Sequence, residues 1–276
     1  MSVYDTVTEQ ILKELEAGTP PWVQSWQSSL PRNIVSKKEY RGTNVLLLWT
    51  AAAKKGYRSP YWLTFKQAGD LQGKVKRGEK ATWIVYAASQ TKKDEKGEEI
   101  EHRFLKWYFV FKVEQTEGIS HPERPPVKPI GEVKEFIDAL GANVIHGNTR
   151  AYYLPKCDQI HLPDPEDFKT MADYYAVALH EHTHWTGHSS RLNRPLVTKF
   201  GTEEYAEEEL VAELGSAFLC SHLQVTPVLR EDHAAYIKSW IKVLKEDKRA
   251  IFKASALAAK AVDYLRSFSR EEAGDA

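Results

Sequence analysis

The sequence predicts an α+β protein with two domains. The chain has 276 residues, enough for two hydrophobic cores, and residues 117–129 contain four prolines, which exclude a regular helix or a central strand. Short helical segments and β-like aromatic runs alternate before this stretch, whereas long amphipathic segments dominate after it. We therefore expect a first domain at 1–118, a linker at 119–130 and a second domain at 131–276.

The first domain is expected to combine helices with strands. Apolar residues at helical spacing mark the helices, and alternating or clustered aromatic residues mark the strands. The predicted elements are helices around 11–15 and at 43–55, the second capped by Thr43 or Asn44 and ended by Gly56, and a strand at 104–113. An apolar run at 81–88 follows a basic loop. This domain is therefore α+β by itself.

The second domain is expected to be mainly helical, with one β-hairpin ahead of its central helix. The hairpin would consist of runs 151–155 and 159–163, joined near Cys157. The predicted helices are 132–140, ended by Gly141; 171–186, capped by Thr170; a glutamate-rich helix capped by Thr202; and two closing helices near 231–246 and 249–268.

The most informative motif is H-E-x-x-H at residues 180–184. A four-residue step returns to the same face of a helix, so His180 and His184 can bind one metal ion. Glu181 lies beside them and is expected to act as the general base that takes a proton from a metal-bound water. His182 lies about 200° from His180 around the helix, and we interpret it as structural or solvent-facing.

A catalytic zinc site needs a third protein ligand. The extended pattern that ends in a third histidine fails here, because its last position is Ser190. The glutamate-rich helix instead offers Glu209 and Glu213 one turn apart. We predict that Glu209 is the third ligand of a Zn²⁺ ion and that Glu213 orients a histidine N–H. Glu208 is the alternative ligand if the helix phase differs by one residue.

The zero net charge of the chain hides an uneven distribution. Residues 1–120 carry 19 basic and 14 acidic side chains, and residues 30–90 carry 12 basic and 3 acidic ones. Six of the eight tryptophans also precede residue 120. Cations that follow phosphates and flat rings that stack on bases are what single-stranded DNA binding requires. The candidate DNA contacts are Trp22, Trp26, Arg32, Tyr40, Arg41, Asn44, Lys76 and Arg77.

Two further features concern the cellular setting. Cys157 and Cys220 are too few for a disulfide framework and are typical of a reducing compartment. The sequence has no signal peptide and no apolar run of transmembrane length. These features predict a soluble, cytoplasmic protein without a membrane partner.

The whole chain resembles plasmid-encoded antirestriction proteins of the ArdC type. The residues that carry the resemblance lie at 21–22, 26, 40–44, 46–49, 61–68, 76–80, 151–153, 158–163, 180–181, 184–188 and 209–214. The resemblance implies an N-terminal single-stranded-DNA-binding domain followed by a zincin-like metallopeptidase domain. His182 departs from the family pattern, in which a leucine-like residue is expected.

The resemblance further implies a protein that handles single-stranded DNA entering a recipient cell and helps that DNA evade restriction endonucleases. Three interpretations of the metal site stay open. The site could cleave a protein substrate in support of restriction evasion, hold a structural zinc ion in a DNA-binding protein, or belong to a regulatory peptidase that is localised by DNA.

Overall fold

A computed structural model describes residues 2–23, 29–93, 99–121, 130–196, 202–225 and 233–271. The chain divides into two compact units. Unit 1 consists of Met1–Gln10 and Pro31–Arg124, and unit 2 consists of Ile11–Leu30 and Pro125–Ala276. Residues 11–30 belong to the unit that contains the H-E-x-x-H motif, whereas the boundary predicted at residue 118 would place them in the first domain.

Unit 1 is built around a four-stranded sheet in the order β1-β2-β5-β4. Strand β1 is parallel to β2, and the other neighbours are antiparallel. A separate two-stranded ribbon pairs β3 with β6. The strands are β1 Arg32–Asn33, β2 Tyr61–Leu63, β3 Lys74–Val75, β4 Thr82–Lys93, β5 Glu99–Lys112 and β6 Thr116–Glu117, and the helices are α2 Thr43–Lys55 and α3 Phe65–Asp70. Helix α1, Val3–Glu16, begins in unit 1 and ends in unit 2.

Helix α2 forms where the sequence predicts it, with a different N-terminal cap. Gly42 is the N-cap residue and no side chain caps the helix, whereas Gly56 ends it in the left-handed conformation at φ 68°. The buried residues of α2 pack against the sheet through Leu48, which joins Trp62, Ile84 and Val110 in one apolar cluster. The core of unit 1 thus lies between α2 and the sheet.

Unit 2 places a small three-stranded sheet beside a bundle of helices. The strand order is β7-β9-β8, so β8 is an edge strand among the described residues. The predicted hairpin is confirmed, with Tyr152 opposite His161. The elements are β7 Asn143–Ile145, β8 Tyr152–Leu154, β9 Gln159–His161, α4 Ile130–Ala139, α5 Met171–Trp185, α6 Glu203–Leu223, α7 His233–Glu246 and α8 Ala250–Glu271.

The caps predicted for the two central helices of unit 2 are both present. Thr170 accepts a hydrogen bond from the backbone N–H of Asp173, and Thr202 accepts one from Tyr205. Helix α6 has buried residues along nearly its whole length because it packs against both α5 and α8. The α+β class predicted from the sequence is confirmed in both units.

Candidate metal centre

Two histidine side chains of helix α5 lie side by side on one face of the helix. His180 and His184 are four residues apart, and their ring centroids lie 4.9 Å from each other. Both side chains are buried or nearly so, at 5% and 12% exposure. A helix buried along Tyr174, Ala178 and Leu179 holds this face in place.

Helix α6 brings a carboxylate to the two imidazoles. Glu209 Oε2 lies 3.6 Å from Nε2 of His180, and its Oε1 lies 3.5 Å from Nε2 of His184. One ligand atom from each of these three residues lies within 4.8 Å of the others. Two imidazole nitrogens and one carboxylate are a donor set that a divalent transition metal accepts. The three residues therefore form a candidate metal site.

The two helices approach each other closely at Gly215. A Cβ atom built on Gly215 would lie 2.5 Å from Cγ2 of Thr183 and 2.8 Å from its Oγ1. Thr183 is fully buried, and its hydroxyl donates to the carbonyl of Leu179 at 2.8 Å, which holds the side chain in place. The absence of a side chain at Gly215 therefore allows the separation between α5 and α6 at which Glu209 meets the histidines.

The second nitrogen of each histidine faces another carboxylate. Glu208 Oε1 lies 3.1 Å from Nδ1 of His184, and Glu213 Oε1 lies 3.5 Å from Nδ1 of His180. The structure thus places Glu208 on the outer side of His184, whereas the sequence left it open as a ligand. Such partners fix the ring orientation and leave Nε2 to face a metal. The orienting role of Glu213 stays a prediction, since 3.5 Å is long for a hydrogen bond.

Arg194, which was not predicted from the sequence, binds one of these two outer carboxylates. Its guanidinium donates to both carboxylate oxygens of Glu208 at 2.8 and 3.0 Å. It also donates to the hydroxyl of Thr186 and to the carbonyl of Thr183, at the end of α5. Arg194 is buried, so this bidentate pair compensates the buried charge of Glu208. No local motif marks Arg194, because it lies in a loop that reaches the site only after folding.

The electrostatics of the site reflect the crowding of carboxylates. Burial by itself would lower the pKa of His184, but Glu208 and Glu209 outweigh it and raise that pKa to about 10. Burial likewise opposes ionisation of Glu209, yet the two histidines hold the pKa of its carboxyl far below the usual range. A divalent cation bound here would replace the proton as the positive charge between these groups.

Glu181 and the ligands line a cavity of about 660 Å³. Glu181 is itself buried. The lining of the cavity also includes the edge strand β8 with its flanks, residues 150–155, and the side chains of Tyr205 and Tyr236. The arrangement places a carboxylate, a candidate metal site and an open strand edge around one space large enough for part of a peptide.

An aromatic stack leads from this cavity into the core of unit 2. The hydroxyls of Tyr205 and Tyr236 lie 3.4 Å apart, Tyr236 stacks on Trp240, and Trp240 meets Trp22 edge to face at 5.6 Å. Trp22 is only 5% exposed. The prediction that Trp22 stacks on DNA bases is therefore wrong for this structure, because its ring is part of the core of unit 2.

His182 is structural and not solvent-facing. It is fully buried, and its Nδ1 lies 2.7 Å from the carbonyl oxygen of Ala178. Burial lowers the pKa of His182 to about 4, so the ring is neutral at pH 7. Its Nε2 has no hydrogen-bond partner among the described residues.

Several candidate DNA contacts in unit 1 are engaged within the protein. The amide of Asn44 exchanges two hydrogen bonds of 2.8 Å with the backbone of Val85, which ties α2 to β4. This contact corrects the prediction for Asn44, because both polar atoms of its amide are already paired.

The remaining candidates differ in how accessible they are. Arg32 pairs with Glu39 at 3.1 Å, Tyr40 is partly buried, and Lys76 donates to the carbonyl of Glu114 at 2.8 Å. Arg41 and Arg77 are exposed. Trp26 lies outside the described residues. A DNA-contact role for these residues stays a prediction.

Comparison with known proteins identifies both parts of the chain. Residues 131–257 match the zincin-like metallopeptidase family, and residues 1–111 match the N-terminal domain of anti-restriction factor ArdC. The fold and the site therefore define a two-part protein with a zincin-like metallopeptidase domain. No helix within the described ranges is long and apolar enough to cross a membrane.

The relatives give the family. The crystal structure of the antirestriction protein ArdC from plasmid R388, in its metal-free form, is 41% identical, with a TM-score of 0.86, 98% of this chain and 99% of that chain covered. The Mn(II)-bound form is 40% identical, with a TM-score of 0.82 and 98% of each chain covered. The chain belongs to the ArdC antirestriction family.

Two further relatives differ in length. Protein y4eC of Sinorhizobium fredii is 35% identical over 281 residues, which cover 96% of this chain and 92% of that protein. A DNA primase TraC of Escherichia coli is 38% identical over 295 residues, which cover 98% of this chain but only 27% of the primase. The same pair of domains thus occurs both nearly by itself and as a minor part of a larger protein.

Proposed function

We propose that this chain is a single-stranded-DNA-binding antirestriction protein whose unit 2 is a zinc-dependent peptidase, and that it protects incoming plasmid DNA from host restriction. The observation that carries the peptidase part is Glu181 lining one cavity together with His180, His184 and Glu209. The excess of basic residues at 30–90 and the match to the ArdC N-terminal domain support the DNA part.

The substrate of the peptidase is proposed to be an extended protein segment. Strand β8 has a neighbour on one side only among the described strands, and it borders the cavity. An extended peptide can pair with such an edge through backbone hydrogen bonds, which positions one peptide bond beside the metal ligands. Exposed Tyr152 on this strand would contact the side chains of the peptide.

Glu181 carries the proton transfers of the proposed reaction. A divalent ion held by His180, His184 and Glu209 supplies Lewis acidity and makes water more acidic. Glu181 takes a proton from the attacking water as a C–O bond forms at the substrate carbonyl carbon. It then delivers that proton to the amine as the C–N bond breaks. The ligands are buried, and the hydrogen bonds from Arg194 to Glu208 and between Glu208 and His184 keep this part of the site in a fixed geometry.

The metal is proposed to be zinc. Two imidazoles and one carboxylate, with room left for water, are the donor set of catalytic zinc sites. The relative from plasmid R388 has a Mn(II)-bound form, so the site must be tested with both ions. Competition between Zn²⁺ and Mn²⁺ at equal concentration should favour Zn²⁺, because affinities for divalent metals at such sites rise from manganese towards zinc.

A second candidate function is DNA binding with a metal that only stabilises the fold. The buried network of Arg194, Glu208 and His184 favours it, because so rigid a site also suits a structural ion. A structural site, however, has no need of Glu181. The buried Glu181 carboxylate beside the cavity therefore favours catalysis.

The deciding experiment compares the wild-type chain with Glu181→Gln. Both proteins, loaded with Zn²⁺, are incubated with a degenerate peptide library and with restriction endonucleases, in the presence and absence of single-stranded DNA. We expect cleavage by the wild type and a loss of at least about 100-fold in the variant, as removal of a general base costs. Equal cleavage by both would contradict the role of Glu181, and no cleavage by either would favour the structural metal.

The same variant separates the two activities in cells. If DNA binding is sufficient for protection, Glu181→Gln still protects DNA that enters a recipient cell. If proteolysis is required, the variant binds DNA normally and protection is lost. We expect protection to persist, because stacking and phosphate contacts by themselves block access of a nuclease.

A further inference from the structure

Strands β4 and β5 form a ribbon that extends beyond the rest of the sheet. Strand β5 pairs with β2 only at Phe111 and Lys112, whereas its pairing with β4 continues from Val110 to Glu99. Strand β4 is the last strand in the sheet order. Over most of its length the ribbon therefore has no third strand among the described residues.

One face of this ribbon carries aromatic rings that are unusually exposed. Opposite residues share a face, so the pairs Ile84–Tyr108, Tyr86–Lys106 and Ala88–Phe104 follow one another along it. Ile84 is buried in the core of unit 1, but beyond it Tyr86 is 60% exposed, Tyr108 52% and Phe104 37%. We call Tyr86, Phe104, Lys106 and Tyr108 the aromatic face. A cluster of exposed rings marks a binding surface more often than a single ring does.

The charge around the aromatic face is positive. The sequence has no acidic residue in 82–93 or in 104–112. Lys106 is exposed and holds its Nζ 5.2 Å from the centre of the Phe104 ring. Exposed Arg41 lies three residues before Asn44, whose amide is bonded to Val85 of β4, and exposed Lys80 lies just before β4. An exposed ring and a cation are thus combined on the aromatic face itself, at Phe104 and Lys106.

We infer that the aromatic face is the surface of unit 1 on which single-stranded DNA stacks, with Tyr86, Tyr108 and Phe104 under the bases and Lys106 beside the phosphates. The inference rests on the proposed function, and it names a surface that the sequence-based candidates did not include. It commits to nucleic acid because an apolar protein partner would not require a surface free of acidic residues.

The arrangement of the rings suits stacking of unpaired bases from the solvent side. Tyr86 and Tyr108 lie on successive levels of one face and meet edge to face, with ring centroids 5.8 Å apart, so a base does not enter between them. A base instead stacks on the outer surface of an exposed ring. Paired bases in a duplex have no free face for such stacking, so the aromatic face should discriminate against duplex.

The test uses the full chain and a fluorescent oligo-dT of about 20 nucleotides at low salt. Tyr86→Thr, Tyr108→Thr and Phe104→Thr each remove a ring while keeping a residue that favours strands. We expect each to weaken binding on the order of 10-fold, and the triple variant to abolish it. Lys106→Gln should reduce the salt dependence of binding, because one phosphate contact is lost.

Two matched controls are exposed aromatic residues elsewhere in unit 1. Phe65 on α3 is 71% exposed, and Phe109 is 58% exposed on the opposite face of the ribbon. Phe65→Thr and Phe109→Thr should bind like the wild type. An independent readout is photocrosslinking of 5-iodouracil in the oligonucleotide, which should label Tyr86 or Tyr108 if these rings contact bases directly.

The outcomes separate the two levels of the proposal. Wild-type binding that persists in the triple variant, with circular dichroism unchanged, would overturn the aromatic face and leave the DNA-binding function intact. Absence of wild-type binding would overturn both. If the triple variant instead changed a dimer into a monomer in sedimentation, with DNA affinity unchanged, the aromatic face would be a contact between two copies of this chain.

Discussion

Each histidine of the metal site faces an outer carboxylate with one nitrogen and Glu209 with the other. The carboxylates of Glu208 and Glu213 face the Nδ1 atoms, and Glu209 faces the Nε2 atoms. This division explains why three adjacent carboxylates on one helix need not compete for the metal. It also separates residues whose loss removes the metal from those whose loss weakens it.

The metal content of variants should depend on whether the substituted residue is a ligand or a partner of a ligand. His180→Ala and Glu209→Ala should each lose the bound ion, because two remaining ligands do not retain it through dialysis. Glu208→Gln should bind the ion 10- to 100-fold more weakly, as expected for a partner that orients a ligand. Glu181→Gln should keep full occupancy. Atomic emission analysis after loading with Zn²⁺ or Mn²⁺ measures all four, and a full metal complement in either alanine variant would refute the ligand set.

His182→Leu should stabilise the protein. The substitution removes an imidazole that is fully buried with an Nε2 lacking a partner among the described residues. Removing a buried polar atom without a partner stabilises the folded protein by about 1–3 kcal/mol. Loss of the hydrogen bond to the carbonyl of Ala178 and imperfect packing of leucine would offset a part of this gain. We expect a net gain of about 1 kcal/mol in urea unfolding at pH 7. A destabilised variant would indicate that Nε2 is satisfied in solution.

At the scale of elements, the site depends on how closely α5 and α6 approach. Helix α5 supplies two ligands and α6 the third, and neither helix alone forms a site. The two helices are in tight contact where Gly215 of α6 faces the buried side chain of Thr183. A residue without a side chain at this point therefore lets α6 approach α5 closely.

Gly215→Ala should destabilise the protein and weaken metal binding. Alanine is the better helix former by about 1 kcal/mol, but its Cβ would overlap a rigid β-branched side chain, and overpacking of this kind costs about 1–3 kcal/mol. Gly69→Ala in α3 is the matched control, because no atom lies within 4 Å of a Cβ there. The control should be neutral or stabilising in thermal unfolding, whereas a stable Gly215→Ala with unchanged metal affinity would show that the helices tolerate separation.

At the scale of the whole molecule, each of the two units is built from two separate stretches of the chain. Residues 11–30 precede most of unit 1 in sequence but pack with unit 2. Trp22 within this segment contacts Trp240, at the end of the aromatic stack that starts at the cavity. A fragment cut after residue 118 would therefore lack the partners of a buried tryptophan.

Trp22→Ala should affect stability and not DNA affinity. Truncation of a buried tryptophan costs about 3–5 kcal/mol, so the melting temperature of the full chain should fall by several degrees or more. Below that temperature, the affinity for oligo-dT should match the wild type. A stable variant with weakened DNA binding would restore Trp22 as a DNA contact.

Much of unit 2 could be predicted from the sequence because its signals are local. The four-residue spacing of His180 and His184, the caps at Thr170 and Thr202, and the hairpin at 151–163 depend on neighbours along the chain, and all appear in the structure. The sequence also favoured Glu209 through its one-turn spacing from Glu213, but it left Glu208 open as an alternative. Helical and strand periodicity are short-range properties, so sequence alone determines them.

Tertiary structure decided what depends on distant neighbours. Sequence could not show that Glu208 would meet Arg194, that Asn44 would bind the backbone of Val85, or that Trp22 would be buried in the other unit. The exposure of the aromatic face also depends on tertiary structure. A strand pattern in the sequence shows which side chains share a face, but not which part of that face is left uncovered by other elements. Burial is a property of the packed molecule: whether a ring contacts water, core or ligand is decided by what the rest of the chain places against it.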